Sequence, residues 1–141
     1  MCVGYYLGCR SPLHPVPWFE ERPAFHVDPL SDDEHPVRAQ FSLPHVYYLG
    51  AHTHCSCGFT SSDEPDPASQ DQSLGALIAF LKWVGAAGAT QLFVCWDGDY
   101  AKVPQHVLEF APAELSRRAQ WLADRSFDGE PSFVHLSRAA A

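Results

Sequence analysis

Residues 72–96, QSLGALIAFLKWVGAAGATQLFVCW, decide how the rest of the chain is read. Leu74, Leu77, Ile78, Leu81 and Val84 form one apolar stripe at helical spacing, which predicts a helix over 72–84. Ser69 and Gln72 fit a capping box at its start, and Gly85 and Gly88 end it. Gln91 to Trp96 is then a continuous apolar run bounded by glycines and by Asp97-Gly98-Asp99. Such a run after a helix predicts a buried central strand.

Working outward, Val46 to Ala51 (VYYLGA) is a second segment rich in strand formers. With helix 72–84 and strand 91–96 it reads as a βαβ-like unit. Its two strands are expected to be neighbours and to end on the same side of the sheet. Val3 to Leu7 reads as an opening strand ended by Gly8, Phe25-His26-Val27 as a short edge strand, and 133–136 as a last strand. Residues 103–110 are strand-like but interrupted by Pro104. Pro112 is expected to open a second helix whose Leu115, Ala119, Trp121 and Leu122 face inward.

Pro12, Pro15, Pro17, Pro23, Pro29 and Pro36 make residues 11–36 a mostly extended loop, because proline fixes φ and removes a donor. Trp18, Phe19 and Phe25 are expected to pin that loop over a sheet edge or a site. Residues 61–70 are polar and read as a solvent loop. The sequence Tyr-Tyr-Leu-Gly occurs twice, at 5–8 and 47–50, and equivalent places in the sheet would bring Cys9 close to Ala51. The expected architecture is therefore one domain over 1–141, α/β or α+β. Its mixed sheet has about four to six strands, with two main helices and a long Pro-rich N-terminal loop.

A chain of 141 residues with 46% hydrophobic residues can bury a real core without disulfides. Its net charge of −8 repels phosphate backbones, which argues against nucleic acid and anionic membrane as partners. Arg117, Arg118 and Arg125 read as a solvated helix face. The opening residues lack a basic, then apolar signal pattern, and Leu74 to Leu81 is too short to cross a bilayer. The expected compartment is the reducing cytoplasm, where five cysteines suggest free thiols, metal ligands or redox chemistry. The sequence names neither a protein partner nor a small molecule.

The candidate site is His52-Thr53-His54-Cys55-Ser56-Cys57-Gly58, four potential metal ligands within six residues. Imidazole and thiolate suit zinc, with copper next and iron also compatible. So short a loop cannot wrap all four donors around one ion. Two or three donors from His52, His54, Cys55 and Cys57 would be completed by Cys95 or Cys9, with His45, Asp97 and Asp99 as further candidates. Gly58 would relieve crowding in the tight turn.

Two other readings stand beside the metal site. Cys55 or Cys57 could be a nucleophilic or redox thiol, with His52 or His54 as base and Asp97 or Asp99 as orienter. Alternatively the cysteines pack as small hydrophobes and the histidines satisfy backbone groups. Asp97-Gly98 is also a favoured turn pair. Met1-Cys2-x-Gly4 resembles the opening of amidotransferases with an N-terminal cysteine nucleophile, over those few residues only. No phosphate-binding glycine loop, Gly-x-Ser-x-Gly or His-Glu-x-x-His pattern is present.

The motif Tyr47-Tyr48-x-Gly50-x-His52-x-x-Cys55-x-Cys57-Gly58-Phe59, followed by Cys95-Trp96-Asp97-Gly98-Asp99, resembles a group of small bacterial proteins. Gly4-Tyr5-Tyr6 and Pro17-Trp18 extend the likeness over most of the first 100 residues. The resemblance implies a self-contained domain and supplies no activity. The leading expectation is a cytoplasmic metal-binding α/β protein using the 52–57 loop. A thiol-dependent enzyme and an interaction module built on the aromatic, Pro-rich segment 12–25 are the competing expectations.

Overall fold

The computed structural model describes residues 2–17, 24–60, 66–111, 114 and 131–136. Val3–Cys9 forms β1, buried at every position. Side chains of a strand alternate between faces, so Tyr5, Leu7 and Cys9 enter one core cluster and Tyr6 the other. A strand apolar on both faces belongs in the sheet interior, and β1 occupies it. The edge strand β2 is Phe25–Pro29, β3 is His45–Ala51 and β4 is Thr90–Trp96. β5 is His106–Phe110 and β6 is Ser132–Leu136. The six strands lie in the order β2-β3-β1-β4-β6-β5. All neighbours are antiparallel except β5 and β6, which makes the sheet mixed.

Strands β3 and β4 run in the same direction, as a crossover requires, but they are not neighbours. β1 lies between them and is antiparallel to both. This corrects the expected direct contact of strands 46–51 and 91–96. The two Tyr-Tyr-Leu-Gly copies pair with each other head to tail, with Tyr6 opposite Tyr48 and their rings 5.7 Å apart. Gly8 does not end β1. An added Cβ there would lie 2.5 Å from the Phe41 ring, so the glycine admits that ring onto the strand.

One face of the sheet is covered by α1 (Cys57–Thr60) and α2 (Pro67–Ala87). Leu77, Leu81 and Val84 of α2 are buried, while Leu74 and Ile78 pack at the margin of the same core. The helix begins earlier than its apolar stripe. Asp66 caps it, Pro67 occupies the first turn, and residues 67–70, read from sequence as loop, are helical. The other face is covered by a 3-10 helix, Asp32–Gln40, whose first half lies in the stretch expected to be extended. Its start is fixed by Glu34, whose carboxylate accepts from the Ser31 N–H at 3.0 Å. Val37 from this helix and Phe41 beyond it complete the second core cluster.

The Pro-rich segment does cover a sheet edge. Val16 and Val27 exchange two backbone hydrogen bonds of 2.9 Å along the outer side of β2. Trp18 and Phe19, the expected helix from Pro112 and the arginines at 117, 118 and 125 lie outside the described residues. No helix among the described residues is long and apolar enough to cross a membrane.

Candidate metal and thiol centre

β3 and β4 both end at one rim of the sheet, and β1, antiparallel to them, begins there. The rim therefore gathers the 52–57 loop, Asp97 and Cys2. Cys2 is tied to the end of β4, its carbonyl accepting from the Asp97 N–H at 2.7 Å. The loop turns sharply after Ala51. His54 N–H donates back to the Ala51 carbonyl, and Ala51 N–H donates to the Cys55 carbonyl, both at 3.0 Å. His54 takes φ 65°, the left-handed region that side chains other than glycine seldom adopt. Gly58 closes the turn, since a Cβ there would lie 2.8 Å from both Ala51 Cβ and Thr53 Oγ1.

Buried Ser56 fixes the loop to the sheet. Its hydroxyl accepts from Tyr5 N–H at 2.9 Å and donates to the Leu49 carbonyl at 2.5 Å. Its own N–H donates to Tyr48 Oη at 2.8 Å. The residues on either side of Ser56 are thereby directed at the start of β1, where Val3 N–H donates to Cys57 Sγ at 3.3 Å.

The result is a cluster of three thiols, Cys2, Cys55 and Cys57, whose sulfurs all lie within 4.8 Å of one another. It could hold a metal ion. Cys2 is exposed and the other two half-buried, so the cluster opens to the rim. The thiols are not equivalent. The hydrogen bond from the Cys57 thiol pulls Cys55 down to about 5 against its partial burial, and Thr53 adds to the effect. Cys57, sharing its proton with Cys55 and half-buried, is pushed up. The groups around the Cys55 sulfur favour its thiolate, among them the Cys57 thiol and Thr53 Oγ1, the latter 3.4 Å away.

The remaining expected residues are distributed as follows. His52 is turned onto α2, with Nδ1 2.9 Å and backbone N 3.0 Å from Ser73 Oγ. His54 packs its ring edge-on against His26, centroids 5.0 Å apart. Neither histidine joins the three-thiol group. Asp97 stands at the rim and accepts from the Tyr100 hydroxyl, while Asp99 pairs with Lys102 at 3.1 Å.

Cys9 does not emerge beside Ala51. Because β1 and β3 are antiparallel, Cys9 is opposite His45 at the far end of both strands. Its thiol donates to the Ser11 carbonyl at 3.2 Å, and burial raises it to about 11. Cys95 projects from the opposite face of the sheet, into the cluster with Tyr6 and Phe93, where burial and nearby Asp99 raise it to about 12. Neither reaches the loop thiols.

Sequence reasoning missed Cys2 as a third donor and Ser56 as the loop's anchor. The signal for Cys2 was available. Two strands ending in chemistry, with a third strand between them running the other way, put that third strand's first residues at the same rim. Among proteins of known family, curated function or solved structure, none matches this chain.

Proposed function

We propose that this chain binds a soft transition-metal ion through the thiolates of Cys2, Cys55 and Cys57, with zinc first and copper(I) second. The observation that carries the reading is the approach of three sulfurs from two remote segments to within 4.8 Å. Zinc–sulfur bonds of about 2.3 Å in a tetrahedron set sulfurs about 3.8 Å apart, so the cluster fits with a closing of at most about 1 Å. Three thiolates suit zinc or copper(I) better than oxygen-preferring ions. A fourth, open position on zinc would supply Lewis-acid chemistry, with Cys2, Cys55 and Cys57 holding the ion.

Elemental analysis of protein purified without a metal column tests this reading. About one equivalent is expected in the parent, none in a Cys55→Ala/Cys57→Ala variant, and a clear loss in Cys2→Ala. Absence of metal after anaerobic reconstitution with zinc and copper(I) overturns it.

A second reading, a thiol-dependent enzyme or redox protein, is favoured by the acidity of Cys55. Alkylation of metal-free protein by iodoacetamide is expected to reach half its maximal rate near pH 5, the titration of Cys55. Cys57→Ala or Thr53→Val moves that midpoint upward. A parent midpoint at the ordinary thiol value of about 8.5 removes the basis of this reading.

A further inference from the structure

Beside the thiols, the same rim opens into a cleft of about 490 Å³ on the face of the sheet opposite α2. Its walls include Cys2, Tyr6, Asp28, Glu34, Tyr48 and Asp97. We propose that this cleft binds a small organic cation, an amine or guanidinium compound, and holds it next to the thiol cluster. The inference goes beyond the metal reading and does not depend on it.

The three carboxylates come from different elements: Asp28 from β2, Glu34 from the 3-10 helix, and Asp97 from the turn after β4. No Lys, Arg or His lines the cleft among the described residues, so the charged side chains on its walls are all acidic. Tyr6 holds Glu34 in place, its hydroxyl donating to Oε2 at 2.7 Å. His26 stands behind the wall, fully buried, with Nε2 3.3 Å from Asp28 Oδ2. Neither of its ring nitrogens completes a hydrogen bond among the described residues. Burial lowers the pKa of this imidazole, opposed by the neighbouring Asp28 carboxylate. The polar edge of the cleft is thus aimed at something that brings donors and positive charge.

Size separates an organic cation from a bare metal ion. Among the described residues only the thiol group brings three ligand atoms within 4.8 Å, so the carboxylates are spread too widely to share one ion. A ligand spanning them must carry its donors on a carbon frame. Val3 and Pro29 give that frame apolar contact, and Tyr48 adds an aromatic side chain to the wall.

Calorimetric titration of the reduced, metal-free full chain with agmatine at low ionic strength tests the proposal. Saturable one-to-one binding is expected, weakened by salt. Asp28→Asn and Asp97→Asn, which keep shape and remove charge, should each weaken it about tenfold or more. Asp71→Asn, at an exposed position of α2 on the other side of the sheet, should leave it unchanged. Amide shifts at Tyr6 and Tyr48 report occupancy of the cleft directly. No saturable binding overturns the proposal, as does unchanged affinity in both carboxamide variants. An equal loss in Asp71→Asn also overturns it, by showing diffuse attraction to a chain of net charge −8. Because the titration is done without metal, its outcome is separate from the elemental analysis.

Discussion

Ser56 sits where the β1–β3 ladder stops, at the pair Tyr5 and Leu49, and its hydroxyl bonds one backbone group on each strand. It replaces the next rung and at the same time sets the bearing of Cys55 and Cys57. Ser56→Ala would leave a buried N–H and a buried carbonyl unpaired, each costing about 1–3 kcal/mol. A loss of about 2–4 kcal/mol in urea unfolding is expected, with reduced metal content at full thiol count. A smaller loss with metal retained would show that the loop is anchored elsewhere. From the sequence this serine is a spacer between two cysteines. Its role arises from partners 51 and seven positions away, which no local pattern encodes. Cys55 and Cys57 were legible because their chemistry is local. Cys2 was not, because its place in the cluster depends on the direction of β1.

At the scale of elements, α2 shows why its core-facing part could be read and its start could not. Its stripe is periodic from Leu74 onward, where one face meets the sheet. Asp66, Pro67 and Ala68 are exposed, so burial imposes no pattern on the first turn. What marks that turn is chemistry: the Asp66 carboxylate accepts from Ser69 N–H at 3.2 Å and from Ser69 Oγ at 2.6 Å, and proline follows the cap. Asp66→Ala is expected to lower the urea midpoint, with most of the loss recovered in Asp66→Asn. Equal urea midpoints for the parent and Asp66→Ala would show that the first turn is held by packing alone. Strand identities were equally accessible, since 3–7, 46–51, 91–96 and 133–136 all carry dense apolar runs. Strand order was not. The placing of β1 between β3 and β4 is decided by pairing across 36 to 44 residues on one side and more than 80 on the other.

For the molecule as a whole, burial of ionisable groups predicts sensitivity to alkali. Cys9 is raised from its ordinary value of 9 to about 11, Cys95 from 9 to about 12, and Tyr48 from 10 to about 12, each chiefly by burial. In the unfolded chain these groups release protons near 9–10, while in the folded chain they keep them. Their contribution is therefore complete below about pH 9 and lost as pH rises toward 12. Cys55 acts in the opposite sense. Its folded value lies below the unfolded one, so it adds stability as pH rises from about 5 toward 9. The melting temperature of metal-free, reduced protein should rise through neutrality, peak near pH 9 and fall beyond it. A flat profile between pH 9 and 11 would show that the buried thiols and tyrosine ionise without resistance from the fold.

The central position of β1 also governs how the chain is made. The ribosome delivers Val3–Cys9 first, yet β3 follows only after His45 and β4 after Thr90. At roughly 5–20 residues per second, on the order of ten seconds separates β1 from its second partner. For that interval a segment that ends up wholly buried has at least one hydrogen-bonding edge unmet. The thiol cluster inherits the delay, because Cys2 cannot meet Cys55 and Cys57 until β1 is seated. Assembly of the sheet, and with it of the thiol cluster, is a late event in which the earliest-made strand is among the last to find its place.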